Sequence, residues 1–535
     1  MSAQPEKSTQ EWWRGAVIYH IYPRSFADSN GDGVGDLAGI TAHLDYVAGL
    51  GVDAIWLSPF FPSPMKDFGY DVADYCDVDP MFGTLDDFDR LIERAHDLGL
   101  RVIIDQVFSH TSDQHAWFRE SRSDRVNPRA DWYVWADARA DGAPPSNWQS
   151  VFGGPAWTWD ARRSQYYLHN FLTEQPDLNV HNPQVQDALL ASARFWLERG
   201  VDGFRLDAID YAMHDPALTD NPARAPDGRP RTRPVDFQQP RHNKGHADLV
   251  AFIERVRALT EQYGGRFTVA EVGGEDAEPV MKLLTRGEGR LHTAYGFNFL
   301  YADALTPALV RAALESWSDA ADPWPSWAFS NHDAPRAVSR WSASADRAAS
   351  ARLALLLLLT LRGNVFLYQG EELGLPQAQL AFHDLRDPEA IANWPLTLGR
   401  DGARTPMPWE RHAPHAGFST SRPWLPVPND HAALAVDAQD RDSDSTLAMA
   451  RRFIALRQQH PALRYGAVRL LETSAASVLA FERSFGAERI LCVFNLGLTA
   501  APVQPPPGSW QPVESIGGAG AWTLPPLSAL IAAGG

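Results

Sequence analysis

Residues 84–105 read TLDDFDRLIERAHDLGLRVIID, and this stretch decides the fold class. Thr84 can cap a helix, Asp87 follows three residues later, and apolar residues then recur at helical spacing. Gly99 ends the predicted helix, and the β-branched run RVIID begins shortly after it. A β-rich run, VDAIWLSP at 52–59, comes before the helix. The order strand, helix, strand predicts a βαβ unit with parallel strands.

The same alternation runs through most of the chain. Predicted helices at 37–51, 185–199, 247–263 and 350–361 each lead into a short β-rich run. From about Gln106 to Asn179 the alternation fails, and the chain becomes rich in Trp, Pro and Gly with short β pieces. An excursion of this length directly after a strand indicates an inserted subdomain that roofs a site.

Two further segments stand outside the alternation. Residues 215–246 are rich in Pro and Arg and show no periodicity. They form either a loop near the mouth of a site or a mobile surface linker. Strand-like runs that begin near Tyr465 predict a terminal β domain.

The composition restricts the partners. The chain has 535 residues and a mass of 59.2 kDa, which suits a barrel with insertions and one smaller domain. Its formal net charge of −18 argues against nucleic acid and anionic membranes as partners and favours neutral small molecules. Cys76 and Cys492 show no metal or redox spacing, so we expect two buried thiols.

Neither the N-terminus nor the apolar runs resemble a targeting signal. The N-terminal sequence MSAQPEKSTQEWWRG has no apolar core and no cleavage site of a signal peptide. The longest apolar run, Leu353–Leu359, is too short to span a bilayer. We therefore expect a cytoplasmic protein that is a monomer or a homodimer.

Four β-rich runs end in acidic, basic or histidine residues. They are RVIIDQVFSH (101–110), VDGFRLD (201–207), FTVAEV (267–272) and WAFSNHD (327–333). In a parallel barrel the carboxyl ends of the strands open into one site. Three carboxylates, Asp207, Glu271 and Asp333, are therefore predicted to converge.

These carboxylates suit cleavage of a glycosidic bond, in which one acid attacks the sugar and another protonates the leaving oxygen. Arg205 lies two residues before Asp207 on the same strand face and should keep that nucleophile ionised. Glu271 follows an apolar run, so burial should raise its pKa and suit it to donate a proton. Asp333, beside His332, can accept hydrogen bonds from sugar hydroxyls. Any one of these carboxylates alone is as well explained as a helix cap or an ion-pair partner.

The chain resembles the α-amylase family of glycoside hydrolases. The similar segments are DQVFSH, GFRLD, the EV of FTVAEV, FSNHD and, in the inserted subdomain, QPDLN. The resemblance implies that Asp207 is the nucleophile, Glu271 the acid/base and Asp333 the stabiliser of the sugar. It further implies a set of sugar-binding residues: Asp67, Tyr70 as a stacking ring, His110, Phe152, Phe171, Arg205, His332, Arg400 and Arg404.

Within that family the chain is most similar to exo-acting α-glucosidases and oligo-1,6-glucosidases. The feature is GRDGARTPMPWE (399–410), with Asp67 in the place that would pair with Arg404. A carboxylate and a guanidinium at the end of a pocket can bind the hydroxyl groups of a terminal glucose and close the groove to further sugar units. Surface ion pairs are the alternative for Arg400 and Arg404.

The implied activity is that of a retaining α-glucosidase that acts on short α-glucosides by double displacement. Ala208 departs from the valine of enzymes that prefer α-1,6 links and the threonine of those that prefer α-1,4 links. A glucosyl transferase or a sucrose- or maltose-active isomerase with the same catalytic residues therefore remains an alternative. Ser109 stands where much of the family has asparagine, and some α-glucosidases share the serine. A non-catalytic binding module is disfavoured because the three carboxylates are kept.

A separate motif, DSNGDGVGDL at 28–37, spaces oxygen-bearing side chains at alternating positions. The predicted ligands are Asp28, Asn30, Asp32, the carbonyl of Val34, and Asp36. Similar loops in α-glucosidases bind Ca²⁺ or Mg²⁺ structurally, and an Asx-rich turn without metal is the alternative. No organic cofactor is expected.

The predicted fold is of the α/β class, a (β/α)8 TIM barrel with an inserted subdomain after strand 3 and a C-terminal antiparallel β domain. The predicted bounds are 1–105 for the first part of the barrel, 106–179 for the insertion, 180–464 for the second part of the barrel and 465–535 for the β domain.

Overall fold

The computed structural model describes residues 11–228, 231–274, 277–317, 323–342, 346–396, 399–520 and 522–535. The first ten residues, part of the segment in which no signal peptide is predicted, lie outside this range. Residues 229 and 230 of the Pro- and Arg-rich segment also lie outside it.

Strands occur along the whole described chain. In chain order they are β1 (Val17–Ile21), β2 (Ala54–Leu57), β3 (Arg101–Val107), β4 (Trp135–Ala136), β5 (Trp157–Asp160), β6 (Gln165–Leu168), β7 (Gly203–Asp207), β8 (Phe267–Val272), β9 (Thr293–Gly296), β10 (Ser326–Ala328), β11 (Asn364–Tyr368), β12 (Ala467–Leu471), β13 (Val478–Phe485), β14 (Glu488–Asn495), β15 (Ala501–Pro502), β16 (Trp510–Ile516), β17 (Thr523–Leu524) and β18 (Ser528–Gly534).

Eight of the described strands pair in parallel in the order β10-β11-β1-β2-β3-β7-β8-β9. The pairing is in register, with Ile18 opposite Ala54 and Ile103 opposite Gly203. At the two ends of this order, the hydroxyl groups of Thr293 on β9 and Ser326 on β10 lie 2.8 Å apart in a side-chain hydrogen bond. This contact brings the first and last strands together, and the parallel sheet has the shape of the predicted (β/α)8 barrel.

Helices follow the strands. They are α1 (Leu37–Ala42), α2 (Leu44–Gly49), α3 (Leu85–Asp97), α4 (Ala116–Ser121), α5 (Pro183–Glu198), α6 (Leu249–Glu261), α7 (Ala277–Thr285), α8 (Pro307–Glu315), α9 (Ala337–Trp341), α10 (Arg347–Thr360), α11 (Pro388–Ala392), α12 (Asn429–Ala433), α13 (Val436–Asp440), α14 (Thr446–Gln459) and α15 (Pro461–Tyr465). The helices predicted from periodicity correspond to α3, α5, α6 and α10.

Capping residues set the ends of these helices. On α3 the side chain of Thr84 accepts from the backbone N–H of Asp87, and the Asp87 carboxylate accepts from the backbone N–H of Thr84. The predicted cap is therefore confirmed as a reciprocal capping box. The helical pattern at 37–51 is instead divided at His43, whose ring Nδ1 bonds the carbonyl of Gly39 at 2.8 Å. The side chain takes an acceptor that the backbone of a continuous helix would share.

The inserted subdomain contains a small antiparallel sheet in the order β4-β6-β5. Its core is formed by Val134, Trp148, Ala156, Trp157 and Leu168. Isolated bridges from His110 to Asp177 and from Tyr133 to Leu178 join the start and the end of the insertion. The insertion therefore leaves the barrel and returns to it at the tip of β3, above the open end of the barrel.

The C-terminal β domain is antiparallel, with the strand order β12-β13-β14-β18-β16 and a separate β15-β17 pair. The predicted antiparallel β domain is confirmed. Arg457 on α14 is almost completely buried and donates to the carbonyls of Gly15, Leu359, Leu361 and Gly363. Because a buried guanidinium needs such partners, this residue fixes α14 against the bottom of the barrel.

Cys492 is buried as predicted, but Cys76 is partly exposed, so its expected burial is wrong. Residue 76 lies in the connection between β2 and α3, where the chain runs along the surface. Among the described residues, no helix is both long and apolar enough to cross a bilayer.

Candidate active site

A cavity of about 880 Å³ opens where the barrel strands end. Its wall includes nine of the predicted site residues: Asp67, Tyr70, His110, Phe152, Phe171, Asp207, Glu271, Asp333 and Arg400. The inserted subdomain contributes the two phenylalanines. The residues that β-periodicity placed at separate strand ends therefore share one concave site.

Strand periodicity places a buried guanidinium beneath the predicted catalytic pair. Arg205 and Asp207 alternate on β7 and share one face, and Nη1 of Arg205 lies 2.6 Å from Oδ1 of Asp207. The same guanidinium forms ion pairs with Asp105 on β3 at 2.6 Å and with Glu271 on β8 at 2.5 Å. We name this group, Arg205 with Asp105, Asp207 and Glu271, the strand cluster.

The strand cluster has three acids and one arginine, and the pKa values of all three acids are raised. Burial raises the pKa of Asp207 to about 7 against the attraction of Arg205, and the nearby Asp105 and Asp333 add to the rise. Burial likewise raises the pKa of Glu271 to about 7, and that of Asp105 to about 6. The rise at Glu271 was predicted. Arg205 was expected to keep Asp207 ionised, and it does lower the pKa of that carboxyl, but burial outweighs it, so Asp207 is only partly ionised at neutral pH.

Asp207 and Glu271 therefore titrate as a pair near neutral pH. A pair in this state holds one proton between two acids, which is the combination that a nucleophile and a proton donor need. What distinguishes the two acids is their other contacts. Glu271 accepts from the hydroxyl of Tyr295 at 3.1 Å and from the backbone N–H of Ala208 at 3.2 Å.

Ala208 presents that N–H from an uncommon backbone conformation. Its φ of 36° and ψ of 42° lie in the left-handed region, which residues other than glycine rarely adopt. The turn directs the amide of the residue after the predicted nucleophile at the predicted proton donor. Strained backbone of this kind is concentrated at functional sites.

A second group of charges lies at the cavity wall, and loops supply all of it. It consists of Arg400 and Arg404 with Asp67, Asp333 and Asp387, and we name it the loop cluster. Nη2 of Arg400 lies 2.9 Å from Asp67 and 2.9 Å from Asp387, whereas Arg404 lies 2.7 Å from Asp333. The predicted pair of Asp67 with Arg404 is therefore wrong. The loop turns so that Arg400 reaches Asp67, and Arg404 also bonds the carbonyl of His332 at 2.7 Å.

The loop cluster contains two arginines, and they reverse the direction of the pKa shift for two of its three acids. Burial acts to raise the pKa of Asp333, but Arg404, Arg400 and Arg205 outweigh it and hold the pKa below its ordinary value. The pKa of Asp387 is lowered in the same way, against burial, by Arg400 and Arg404. Burial raises the pKa of Asp67 in spite of Arg400. Asp333 is thus ionised at neutral pH, as an acceptor for sugar hydroxyls must be.

Aromatic rings line the wall between the clusters. The ring of Tyr70 lies parallel to that of His332, with centroids 5.3 Å apart, and its hydroxyl lies 2.6 Å from Nε2 of that histidine. Phe152 packs under the guanidinium of Arg400 at 4.8 Å. Phe171 lies 5.0 Å from the ring of His110. The wall therefore offers apolar faces beside charged groups, as sugar-binding sites require.

Three predicted sugar-binding residues lie behind this wall. Arg205, His332 and Arg404 are completely buried and contact the carboxylates from below. Burial lowers the pKa of His332 well below its ordinary value and that of His110 to about 3, so both rings are neutral. These residues act on the cavity by holding the groups that line it.

The Pro- and Arg-rich segment forms the outer wall. Arg224, Arg231, Arg233 and Lys244 all line the cavity, which confirms the interpretation of this segment as a loop at the mouth. Lys244 is anchored through Nζ, which lies 2.9 Å from Asp210 and donates to the carbonyl of Gly273 at 2.6 Å.

Sequence reasoning missed several residues of the site. Asp105 stands inside an apolar strand, and a charged residue there was a usable signal. Gln175 lies within the QPDLN segment and donates to Asp67 at 3.1 Å beside His110. Tyr295 and Asp387 carry no local sequence signal, because their roles depend on contacts with distant parts of the chain.

The acidic loop after β1 is ordered by its own side chains. Both carboxylate oxygens of Asp28 accept hydrogen bonds, from the backbone N–H groups of Asn30, Gly31 and Gly33 and from the hydroxyl of Ser419. Asp36 caps α1 and bonds Ser29. The side chains of Asn30 and Asp32 accept from backbone N–H groups two residues later. The contacts with an N–H two residues later are Asx turns. The side-chain atoms of this loop that could bind a cation are all oxygens.

Comparison with known proteins bears on this geometry. A sequence model described as "Alpha amylase, catalytic domain" matches residues 20–466. The chain belongs to the α-amylase family. A probable alpha-glucosidase of Rhizobium meliloti (strain 1021) is 53% identical over 518 residues, which cover 95% of this chain and 93% of that protein. An oligo-1,6-glucosidase of Heyndrickxia coagulans is 36% identical over 539 residues, covering 94% and 95%.

Among proteins of solved structure, the α-glucosyl transfer enzyme XgtA is similar in sequence and fold. It is 50% identical with a TM-score of 0.95, over 98% of this chain and 100% of that one. This likeness covers the barrel, the insertion and the C-terminal β domain together. The protein is thus a glycoside hydrolase family enzyme with the predicted architecture.

Proposed function

We propose that this protein is a retaining, exo-acting α-glucosidase that releases glucose from the non-reducing end of short α-glucosides. One observation carries the proposal. Asp207 and Glu271 contact the same guanidinium at the wall of a single cavity, 2.6 and 2.5 Å from it, and the pair of Asp67 with Arg400 lies in that wall too. A pair of acids beside a closed end suits cleavage of one terminal sugar.

The first step uses the shared proton of the pair. With Asp207 ionised and Glu271 protonated, Glu271 gives its proton to the glycosidic oxygen as the bond from that oxygen to the anomeric carbon breaks. The carboxylate of Asp207 forms a bond to the anomeric carbon from the opposite face. The products are a β-glucosyl ester of Asp207, a free alcohol and an ionised Glu271.

The second step restores the enzyme. Glu271, now a carboxylate, takes a proton from water, and the water oxygen bonds to the anomeric carbon as the ester bond to Asp207 breaks. Two inversions give net retention of the α configuration. The contact of Glu271 with the N–H of Ala208 supports this role, since it orients the carboxyl group next to the nucleophile.

The loop cluster supports exo action. Asp333, ionised beside Arg404, suits hydrogen bonds to the ring hydroxyls of the glucose that is released. Asp67 and Arg400 are available at the cavity wall for its terminal hydroxyls. Longer chains would have to extend from the mouth rather than pass through.

The test is a product time course with maltose, isomaltose, sucrose, trehalose and soluble starch supplied separately. Free glucose from disaccharides, with starch nearly untouched and α-glucose as the first anomer by NMR, is the expected result. Rapid internal cleavage of starch, or release of β-glucose, would contradict the proposal.

A second candidate is transfer of the glucosyl group to a sugar or another alcohol, or isomerisation of a disaccharide, with the same residues. Its support is the likeness to an α-glucosyl transfer enzyme, together with the small residue Ala208 at the cavity wall. Transfer differs from hydrolysis only in the acceptor that meets the glucosyl ester. The ratio of new glucosides to free glucose, measured with an alcohol in excess, separates the two.

We also propose that the acidic loop at 28–36 binds Ca²⁺ or Mg²⁺ in a structural role. The support is the donor set, since these hard cations take oxygen ligands and the loop offers them at alternating positions. Binding would replace some of the Asx-turn hydrogen bonds with ligand bonds. Chelation is expected to lower the melting temperature more than the turnover of enzyme that stays folded. Loss of turnover with an unchanged melting temperature would contradict a structural role.

Two further expectations are part of the proposal. Two free cysteines agree with a cytoplasmic location, where thiols stay reduced. A monomer or homodimer is proposed as well, and light scattering of the purified protein tests it.

A further inference from the structure

A group of potential metal ligands lies outside the cavity, where the inserted subdomain returns to the barrel. Three side chains, His181, His246 and Asp248, bring one ligand atom each to within 4.8 Å of the others. His181 follows the QPDLN segment, and the other two stand just before α6. Nδ1 of His181 lies 3.8 Å from Oδ2 of Asp248, and Nδ1 of His246 lies 3.5 Å from the same oxygen.

Hydrogen bonds to backbone groups orient both imidazoles. Nε2 of His181 lies 2.8 Å from the carbonyl oxygen of His214, which can only accept, so this nitrogen carries the proton. In the neutral ring, Nδ1 is then a lone pair. Nδ1 of His246 accepts from the backbone N–H of Asp248 at 3.3 Å, so it too is unprotonated.

Nδ1 of His181 and Nδ1 of His246 thus lie as acceptors beside the same carboxylate oxygen of Asp248, at 3.8 and 3.5 Å, and a metal bound at His246 would replace the hydrogen bond that its Nδ1 accepts from the N–H of Asp248. Three acceptors in such an arrangement repel one another unless a positive charge lies between them. The bond from His181 to a backbone carbonyl is the arrangement by which metal-binding histidines are held in the correct tautomer. Partial exposure of both histidines and full exposure of Asp248 leave the point open to an ion from solution.

We infer that His181, His246 and Asp248 bind one divalent transition-metal cation of the Zn²⁺ type. Two imidazoles and one carboxylate match the ligand preferences of Zn²⁺, Cu²⁺ and Ni²⁺, whereas Ca²⁺ and Mg²⁺ prefer oxygen ligands alone. Water completes the coordination. The positive N-terminal end of α6 opposes the cation, and the carboxylate of Asp248 offsets this.

The bound cation connects two segments that both border the cavity. The segment of His181 closes the inserted subdomain, and His246 lies two residues after Lys244 of the cavity wall. Gly245 between them donates to the carbonyl of Asp210 at 2.6 Å. The site is therefore a cross-link between the insertion and the loop at the mouth.

The experiment is titration of the full chain with ZnCl₂ by calorimetry, after metal removal and with Ca²⁺ in excess so that the acidic loop is supplied. One equivalent is expected to bind to the wild-type protein. Because even loss of an outer contact of a metal ligand costs about 10- to 100-fold in affinity, His181→Ala and His246→Ala should each weaken binding by at least about tenfold. Asp248→Asn keeps the shape of the side chain and should weaken it as well.

The matched control is His242→Ala, in the same loop, because the ring of His242 faces Asp215 at 3.5 Å and lies outside the group. It should leave the affinity unchanged. With Cu²⁺ as the probe, electron paramagnetic resonance should show splitting from two nitrogen ligands in the wild type and from one in either histidine variant. Zinc affinity and nitrogen splitting that stay the same in His181→Ala and His246→Ala would overturn the inference, and so would the absence of any tight equivalent in the wild type.

Discussion

Two arginine–carboxylate clusters lie at the wall of one cavity, and they differ in both charge and origin. The strand cluster sets three carboxylates against one guanidinium, and the loop cluster sets three against two. In the strand cluster, burial wins and every acid has a raised pKa. In the loop cluster, the second arginine makes attraction win for two of the three acids.

The number of arginines decides which group of acids can exchange a proton near neutral pH. A wall that exchanges a proton near neutral pH needs acids that burial has made reluctant to ionise. A wall that binds hydroxyl groups by hydrogen bonds needs carboxylates that stay charged. The site obtains both from the same kinds of residues, placed around one cavity.

The largest expected effect comes from breaking the strand cluster. Asp207→Asn and Glu271→Gln should each lower kcat by at least about 10³-fold, since each removes a covalent or proton-transfer role. Initial rates on maltose measure this, with circular dichroism to establish that the variants are folded. The control is Asp45→Asn, an exposed acid paired with Arg94 on the surface, which should keep wild-type rates. Near-normal turnover in either catalytic variant would rule out the assignment.

A smaller effect is expected in the loop cluster, where Arg400 bonds one acid inside the cavity and one outside it. Asp67→Asn removes the partner that lines the cavity, and kcat/KM for disaccharides should fall about 10- to 100-fold, mainly through KM. Asp387→Asn removes the other partner of the same guanidinium. It should lower the melting temperature with a smaller change in KM. Equal KM values in both variants would show that Asp67 acts only by holding Arg400.

The two walls should also respond oppositely to pH. In an unfolded chain Asp and Glu titrate near 3.9 and 4.3, whereas Glu271 titrates at about 7 in the folded protein. The folded state therefore binds the extra proton, and the stability from Glu271 is complete below about pH 4 and lost as the pH rises through about 7. Removing this charge with Glu271→Gln should raise the melting temperature at pH 8, by about 1–4 °C, and hardly change it at pH 5.

Asp333 provides the opposite sign, because its folded pKa lies below its ordinary value. Its stabilisation is present above about pH 4 and is lost as the pH falls further. Asp333→Asn should therefore lower the melting temperature at pH 8. Differential scanning fluorimetry of both variants across this range is the measurement. Shifts of the same sign in both variants would show that the two clusters do not differ in the proposed way.

One cluster lies on strands and the other on loops, and this explains which of the two the sequence could predict. Alternation along β7 put Arg205 and Asp207 on one face, and the parallel register put Glu271 beside them, so all members of the strand cluster except Asp105 followed from periodicity. The partners of Arg400 depend on how loops of different length fold over the barrel, and no period encodes that. The wrong pairing of Asp67 with Arg404 has this cause. The break at His43 has a related one, since a single side-chain hydrogen bond overrode a regular pattern.

Residues without a local signal mark the limit of that reasoning. Tyr295 enters the site because β9 lies next to β8 in the barrel, although nothing in its own segment distinguishes it. Asp387 is nearly three hundred residues from the strand cluster's first acid, Asp105, and reaches the site only through the loop after β11. Such contacts can be read only once the tertiary arrangement is known.

The smallest expected effect concerns Ala208. This residue lines the cavity and donates its N–H to Glu271 of the strand cluster. The family resemblance implies valine at this position in enzymes that prefer α-1,6 links and threonine in those that prefer α-1,4 links. Both are β-branched and nearly equal in volume, so Ala208→Val and Ala208→Thr should lose similar stability, about 1–3 kcal/mol, in this left-handed conformation. They form a matched pair that differs only in a methyl group against a hydroxyl.

Any difference between the two variants in the ratio of kcat/KM for isomaltose to that for maltose must then come from polarity beside the nucleophile. A few-fold shift toward isomaltose in Ala208→Val and toward maltose in Ala208→Thr is expected, because one methyl or hydroxyl contact is worth about 1 kcal/mol in a pocket. Shifts in the same direction would instead assign linkage preference to the volume of the side chain. In that case the alanine of this chain would act by leaving space, and the loop at the mouth would have to determine which alcohol enters it.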